Sequence, residues 1–584
     1  MTNRDIAAAF EEVADLLEFQ DANPFRVRAY RNAALRINDF PEPLAKVVAD
    51  KGRDVTDIEG IGKDLAGKIA ELVTTGKLAM LEELRDAVPP GVLALLRIPG
   101  LGPKKAATLH KELGIISLEM LRAACEADQV SMLKGFGAKT QAKILAGIDF
   151  AAKADKRMYW AEADEIVQAL RTHMATCKEV KQFEVAGSYR RGKDTIGDLD
   201  LLVESKNPDA VMDHLTKFEE MESVLGRGDT KLSIRLARGL QIDLRVVPAK
   251  SFGAALQYFT GSKAHNIILR GMAKDRGLKI NEYGVFRVDD DADEEDEGEY
   301  VAGKQECDVY AAMDLPCFPP EIREARQEFE WAATGKLPKL IELGDLVGDL
   351  HMHTTASDGK ATLREMVEAA QARGHKYIAI TDHSPRVSMA NGLDPKRLRA
   401  QWREIDKLNR ELDDFTVLKG IECDILEKGG MDLPDDVLAE ADWVVASIHY
   451  GQNQPSEQIT ARMLGAIENP YVSIIAHPTG RLINRREPYA VDLDQAFAAA
   501  GRHGKFMELN ANPARLDLDD IQCAAAKQHG IPIVISSDAH SALGLDVLRY
   551  GVLQARRAGL TAADVANTRP WAKVKGMLGK EKKK

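Results

Sequence analysis

Gly187-Ser188-Tyr189-Arg190-Arg191-Gly192, followed by Gly197-Asp198-Leu199-Asp200, is the stretch on which the reading of this 584-residue chain turns. The spacing predicts a strand over Phe183–Ala186, a Gly-Ser turn, a basic loop, and a second strand that carries two carboxylates. Residues two apart on a strand point to the same face, so Asp198 and Asp200 sit side by side. Adjacent carboxylates repel unless something positive lies between them. A hard divalent cation, with positions left open for phosphate oxygens, is the usual answer. A solvated Asp-x-Asp at a strand end is the plain alternative. Exposed backbone N–H groups, the Ser188 hydroxyl and the guanidinium groups of Arg190 and Arg191 weigh against it, because together they suit a triphosphate.

Downstream, Leu240–Val247 alternates as a strand, with Asp243 on the face opposite Ile242 and Leu244. Asp243 is either a buried structural carboxylate or a third ligand for the same cations. Gly187-Ser188 with Asp198-x-Asp200 and the distant Asp243 resembles the nucleotidyltransferase palm. Tyr258-Phe259-Thr260-Gly261-Ser262, then Asn266, Arg270 and Asn281-Glu282-Tyr283, resembles the thumb of the family X DNA polymerases, the group that contains DNA polymerase beta. Tailing enzymes share only the first of these patterns. The resemblance implies that Asp198 and Asp200 bridge two Mg²⁺ or Mn²⁺ ions, with Asp243 on the ion that lowers the pKa of the primer 3′-hydroxyl. It implies that Gly187, Ser188 and Arg191 grip the triphosphate. Tyr258, Phe259, Gly261 and Asn266 then line the sugar and base, with Arg270 on the minor-groove side of the template.

Upstream the chain reads as helices, with Ile6, Phe10, Val13, Leu16 and Leu17 at helical spacing. Three segments share the form hydrophobic-x-Gly-hydrophobic-Gly and open a helix: Ile58–Lys63 (Gly60, Gly62), Ile98–Lys105 (Gly100, Gly102, Lys104) and Leu133–Lys139 (Gly135, Gly137). One such turn suits any tight helix pair. Three in close succession point to sequence-independent binding of a DNA backbone by free N–H groups at helix starts. They resemble the helix-hairpin-helix motif. Lys68 falls where the polymerase beta group carries a Schiff-base lysine for 5′-deoxyribose-phosphate removal. Gly67 departs from the acidic neighbour expected there, and a surface lysine on DNA phosphate is the alternative.

From Asp345 onward, short apolar runs alternate with helical stretches, the pattern of an α/β barrel. The runs are Tyr377–Ile380, Thr416–Leu418, Trp443–Ala446, Val472–Ile475, Lys505–Leu509 and Ile531–Ile535. At the ends of successive runs stand His351, His353, Asp358, Asp382-His383, Glu422, His449, His477, Asp538 and His540. A lone histidine is usually a core or surface residue. A series at the C-terminal ends of barrel strands is different, because active sites form there. Imidazole with carboxylate suits Zn²⁺, Mn²⁺ or Fe²⁺. His375, His503 and His529 fall in helical patterns and read as bystanders. The motifs around these residues resemble the PHP domain. The resemblance implies nine ligands, namely His351, His353, Asp358, His383, Glu422, His449, His477, Asp538 and His540. They hold a cluster of up to three ions, with Glu422 as a bridge. Arg481 and Arg515 are candidates for holding phosphate.

The expected architecture is a multidomain chain. N-terminal all-α helix-hairpin-helix domains (1–85 and 86–152) precede an α+β palm (153–250) with a thumb (251–318). A proline-rich linker (319–345) leads to a C-terminal α/β PHP barrel, distorted and seven-stranded (346–584). The net charge of −12 does not exclude nucleic acid, since residues 289–299 alone hold nine acidic side chains and read as a solvated loop. The six cysteines are scattered without a Cys-x-x-Cys pair, which argues for a reducing cytoplasm and against a disulfide framework. No apolar run spans a bilayer. The function expected is short-gap DNA synthesis in repair by a monomer that binds gapped or primer–template DNA and dNTPs. A 3′–5′ exonuclease in the barrel and a lyase at Lys68 accompany it. The alternative makes the barrel a phosphatase on a 3′-phosphate or small phosphomonoester. A DNA-binding scaffold with decayed sites is disfavoured, because every expected ligand is intact.

Overall fold

The computed structural model describes residues 3–38, 44–50, 53–58, 60–89, 92–96, 98, 101–154, 157–288 and 298–578. The acidic run at 289–297, the lysines at the extreme C-terminus and Gly100 lie outside them. The chain divides into two compact units, Met1–Asp155 with Asn484–Arg486 and Lys156–Ile483 with Glu487–Lys584.

The first unit is helical. Helices Asn3–Phe19 and Pro24–Asn38 bury Ile6, Phe10, Val13 and Leu17 with Val27, Tyr30 and Ile37 in one core. A second core gathers Leu101, Leu109, Leu121, Phe136 and Ile144. The three hairpins close in the same way. The residue between the glycines donates its N–H to the apolar residue three earlier: Ile61 to Ile58, Leu101 to Ile98 and Phe136 to Leu133, each at 2.9 Å. Ile61, Leu101 and Phe136 are buried, so each turn is pinned from inside. Gly62 and Gly102 are exposed N-caps of Lys63–Thr75 and Pro103–Leu113, and exposed Gly137 precedes Ala138–Ala154. The first-turn N–H groups therefore keep an open approach.

The second unit opens with β1 (Met158–Tyr159), β2 (Gln182–Val185), β3 (Thr195–Ile196), β4 (Asp198–Glu204), β5 (Met221–Arg227), β6 (Lys231–Leu236) and β7 (Gln241–Val247). β1 pairs with β3, and the others form a sheet in the order β2-β4-β7-β6-β5. Its one parallel pairing, β4 with β7, carries the expected carboxylates. Where a turn was expected at Gly187-Ser188, a one-turn helix Gly187–Arg190 stands instead. The thumb follows as helices Phe252–Thr260 and Lys263–Lys274 with the antiparallel strands β8 (Leu278–Asn281), β9 (Gly284–Arg287) and β10 (Glu299–Ala302).

Two expectations need correction here. Residues 319–345 are not a free linker. Ile322 and Leu340 belong to the thumb core, Ile341 to the barrel core, and Arg323 and Glu328 are buried. Their charges explain the difference: Arg323 pairs with Glu306, and Glu328 accepts from His265 at 2.9 Å, so the strap is held by partners distant in sequence. The cysteines are not all unpaired either, since Cys307 and Cys317 form a disulfide within the thumb.

The barrel comprises β11 (Gly348–Asp349), β12 (Tyr377–Ile380), β13 (Thr416–Asp424), β14 (Trp443–Ser447), β15 (Ile474–Ile475), β16 (Phe506–Asn510) and β17 (Ile533–Ser536), all parallel and paired in chain order. Alternation sorts their side chains. Ile378, Val417, Val444, Ile475, Met507 and Ile535 face the helices, whereas Tyr377, Leu418, Trp443, Ile474, Phe506 and Val534 fill the interior floor. The helix Trp571–Met577 docks Val574 into that floor. The seam is closed by a parallel bridge between Met352 and Ala539. Asn567 stitches it from below, its amide donating to Gly348 O and Ile535 O at 2.8 Å each. The result is a nearly closed seven-stranded barrel.

Candidate active sites in the palm and the barrel

The register of β4 against β7 sets Asp200 directly beside Asp243, with Asp198 beside Gln241. Ile242 and Leu244 are buried on the opposite face, so alternation alone turns the carboxylates outward. Asp243 accepts hydrogen bonds from Ser233 and, at 2.8 Å, from the Gln241 amide. Burial, with Asp198 and Asp243 close by, pushes the Asp200 carboxyl up to about 7, against the opposing pull of Arg191 and Arg245. Three carboxylates crowded to that degree offer oxygen ligands that could hold divalent cations.

Gly187 shows how close the loop after β2 comes to these carboxylates. A Cβ there would lie 2.2 Å from Asp200 Oδ2, and its φ is +62°. Only glycine allows that approach. Ser188 is half-buried beside it, and Ala186 N–H donates to Asp200 O at 2.8 Å. The two arginines of the motif are both engaged. Arg190 pairs with Glu306 at 2.6 Å, and Arg191 with Glu324 at 3.1 Å and with Thr260 O. Tyr258 and Phe259 meet edge to face, and Arg245 lies over the Phe259 ring at 5.3 Å. Asn266, expected against the nucleotide, is turned inward: it donates to Tyr258 O at 2.8 Å and accepts from Gln257 at 2.7 Å. Arg270 is exposed and Gly261 buried beside Arg191.

Lys68 sits in the first unit, ion-paired with Asp64 and 5.9 Å from the centre of the Tyr30 ring. Burial lowers its pKa, but Asp64 and Tyr30 outweigh that and raise it. A Schiff-base amine needs the opposite shift.

At the mouth of the barrel the nine expected residues converge. Glu422 is the hub. Its Oε2 lies 2.8 Å from His383 Nδ1, 3.6 Å from His351 Nε2 and 3.7 Å from His353 Nε2. Its Oε1 lies 3.1 Å from His477 Nε2 and 3.5 Å from His449 Nε2. Asp538 Oδ1 stands 3.2 Å from His353 Nε2 and 3.6 Å from His351 Nε2. Asp358 Oδ2 stands 3.5 Å from both His383 and His540. Most of these separations exceed a hydrogen bond. They match the edge of a coordination polyhedron, roughly 3.3 Å for tetrahedral bonds of about 2.0–2.1 Å. His351 Nε2 and His353 Nδ1 are buried without a hydrogen-bond partner, which a metal ion would relieve. Three overlapping donor groups result: His353, Asp358, His383 and His540; His351, His353 and Asp538; His383, Glu422 and His449.

The charges are mutually dependent. Burial opposes the His383 imidazolium, but Glu422 and Asp358 outweigh it and push the group up to about 10. His353 is held down to about 4 by burial and by the neighbouring His540 and His383. Glu422 and Asp538, though fully buried, are held well below the ordinary carboxylate range by the imidazoles around them.

Several residues that matter were not singled out by the sequence. Glu508 Oε1 takes His351 Nδ1 at 2.7 Å, and its Oε2 accepts from His477 N–H at 2.7 Å. Asp424 Oδ1 takes His449 Nδ1 at 3.1 Å. Each fixes an imidazole with its other nitrogen facing the centre. Period two was the available signal: Glu508 lies two before Asn510 on β16, and Asp424 two after Glu422 on β13. Asp382 stands at a ligand position but turns away, holding Thr354 N–H at 2.8 Å and its hydroxyl at 2.7 Å. Arg481 also turns away, to Arg515 O, Leu516 O and Asp194. Arg515 stays, 3.8 Å from Asp538 Oδ2.

Among known proteins, five family profiles match in chain order. They are a Helix-hairpin-helix domain (1–78), a SAM-like Helix-hairpin-helix tandem (92–149), the DNA polymerase beta palm (157–237), the DNA polymerase beta thumb (255–324) and the PHP domain (349–512). The chain is 42% identical over 580 residues to the DNA polymerase/3′-5′ exonuclease PolX of Bacillus subtilis (strain 168), covering 99% of both. It is 31% identical over 250 residues to a probable phosphatase of Thermoanaerobacter sp. (strain X514), across 41% of this chain and 97% of that one. DNA polymerase lambda of Rattus norvegicus is 28% identical over 348 residues, 55% of this chain and 56% of its own. A likeness that runs unbroken through hairpins, palm, thumb and barrel leaves one placement: the chain belongs to the PolX family, the family X DNA polymerases that carry a PHP domain.

Proposed function

We propose that this chain is a DNA-directed DNA polymerase that fills short gaps in repair, with a second active site in the barrel that removes nucleotides from a 3′ end. The observation that carries the reading is the intactness of both ligand sets, Asp198, Asp200 and Asp243 on the palm and nine residues at the barrel mouth, in a chain matched end to end by a polymerase/exonuclease. Divalent ions bound there, Mg²⁺ or Mn²⁺ in the palm and up to three Mn²⁺, Zn²⁺ or Fe²⁺ in the barrel, would lower the pKa of a 3′-hydroxyl in one site and of water in the other.

The chain's own groups do the rest. Asp200 and Asp243, side by side, hold charge where the primer end and the α-phosphate meet. The N–H groups of the Gly187–Arg190 turn and the Ser188 hydroxyl face the triphosphate. Arg191 exchanges Glu324 for phosphate oxygens, a bidentate match. Tyr258 and Phe259 supply flat apolar surface for the sugar and base, and Asn266 holds Tyr258 in place rather than touching the nucleotide itself. The hairpins at Gly60, Gly62, Gly102, Lys104, Gly135 and Gly137 bind the DNA backbone without regard to sequence. In the barrel, Glu508 and Asp424 set the histidine tautomers, and Arg515 suits the scissile phosphate. The ion pair at Lys68 argues against a lyase in this state of the chain.

A second reading makes the barrel a phosphomonoesterase, favoured by its likeness to the probable phosphatase of Thermoanaerobacter. The products decide. On unmodified 3′-hydroxyl DNA with Mn²⁺, the exonuclease releases nucleoside monophosphates. Orthophosphate released from 3′-phosphate ends alone would select the phosphatase. Extension of a one-nucleotide gap with dNTPs and Mg²⁺ tests the palm, and its absence would remove the polymerase reading.

A further inference from the structure

The loop that leaves the Gly187–Arg190 turn has a second neighbour besides the palm carboxylates, the barrel helix Leu548–Arg557. The Arg557 side chain is 1% exposed. Its Nη1 donates to the backbone oxygen of Arg191 at 2.7 Å and lies 3.0 Å from Glu324 Oε1; its Nη2 donates to Asp520 Oδ2 at 2.7 Å. One turn earlier, buried Gln554 donates its amide to the backbone oxygen of Gly192 at 3.0 Å. Leu553, just before Gln554, packs so tightly on Gly192 that a Cβ there would fall 2.5 Å from its Cγ. Glu324 ties the same loop from the strap, accepting from Arg191 Nε at 3.1 Å with Lys193 Nζ at 3.7 Å.

Two buried side-chain donors aimed at consecutive backbone carbonyls fix a loop more firmly than side-chain packing alone, because each lost bond leaves a buried carbonyl unsatisfied. The loop is thereby gripped from both sides, with Asp200 against Gly187 and the barrel helix against Arg191 and Gly192. When Arg191 turns from Glu324 to phosphate, Glu324 keeps Arg557 and Lys193, so the exchange leaves no buried carboxylate bare.

We propose that Arg557 and Gln554 are positioning residues for nucleotide addition: the PHP barrel, besides its own chemistry, is the seat of the palm's triphosphate loop. This rests on the reading of Gly187, Ser188 and Arg191 as the triphosphate grip.

The test uses the full chain as Arg557→Lys, Gln554→Leu, Arg191→Ala and the double variant Arg191→Ala/Arg557→Lys. Calorimetry of Mg²⁺–dNTP binding is run beside one-nucleotide gap filling, 3′–5′ degradation and thermal melting. Arg557→Lys and Gln554→Leu are each expected to weaken nucleotide binding and raise its KM about tenfold, with a smaller change in kcat and unaltered 3′–5′ degradation. Once Arg191 is gone, Arg557→Lys is expected to add little, the non-additivity of a residue acting through its neighbour. Penalties that simply add in the double variant, or an equal loss at both active sites with a lowered melting point, would reduce Arg557 to a structural residue. If the parent binds nucleotide and both single variants bind it equally well, the proposal alone falls. If the parent neither binds nucleotide nor fills the gap, the polymerase reading falls and takes the proposal with it.

Discussion

At Gly187 a single methyl group is enough to separate the two chemistries. Alanine there would collide with the Asp200 carboxylate, so Gly187→Ala is expected to lower nucleotide addition at least about 100-fold while leaving 3′–5′ degradation intact. Steady-state gap filling and exonuclease assays on one preparation check this, and comparable losses in both would contradict it. Glu508 makes the matching case in the barrel. Glu508→Gln keeps the size of the side chain but removes the charge behind His351, and is expected to cost about 10–100-fold in metal affinity or exonuclease rate. Metal content by mass spectrometry reads it without relying on turnover. His375, outside both sites, is buried and its pKa is pushed down to about 4 from 6.5 by burial and by Arg373. The unfolded chain therefore takes up this proton first as pH falls. The stability contributed is full above pH 6.5 and is lost on the way down to about pH 4. Relative to the parent, His375→Gln is expected to gain in melting temperature between pH 7 and pH 4.5, and parallel curves would refute the assignment. Histidines and acids at strand ends were legible in the sequence because few other reasons put them there. Glu508 and Asp424 were not, because an acid inside a strand declares its partner only when β16 and β13 are folded beside their neighbours. Arg481 illustrates the reverse: its charge was visible, its commitment to Asp194 and two carbonyls was not.

Among the elements, the hairpins turn a short pattern into a repeated geometry, a buried apolar residue pinning a turn whose far side exposes N–H groups. Lys104 and Lys139 are exposed behind two of them. Replacing each with alanine is expected to lower the slope of log affinity against log salt by about 0.9 and to weaken all DNA sequences alike. Titration at several salt concentrations with two unrelated duplexes measures it; an unchanged slope would place the DNA elsewhere. These turns could be read from the sequence because glycine spacing and the following helix are local. The Gly187–Arg190 helix was read as a turn, since one turn of helix and a loop have the same composition. Strand β13 runs to Asp424, past the apolar run that ended at Leu418, because Glu422 and Asp424 turn to the polar barrel mouth and break the apolar pattern, while Ile421 and Cys423 between them stay in the core. The strap at 319–345 looked like a linker for its prolines. Its burial depends on Arg323 meeting Glu306 and Glu328 meeting His265, pairings that proximity in sequence does not reveal.

Across the whole molecule, synthesis and hydrolysis stand as two ligand sets on one chain, and the order of domains was legible because each carries its own periodicity and its own motif. What the sequence could not disclose is that the barrel helix Leu548–Arg557 grips the palm's loop, since those contacts join residues more than 350 positions apart. On the proposed reading the palm extends a 3′ end and the barrel shortens it. The most direct measurement follows a labelled, one-nucleotide-gapped DNA with Mn²⁺, with and without dNTPs, in the parent chain, Asp200→Ala and His353→Ala. Loss of extension only in Asp200→Ala, and loss of 3′ shortening only in His353→Ala, is the predicted result. Shortening that survives His353→Ala, or disappears in Asp200→Ala, would contradict it.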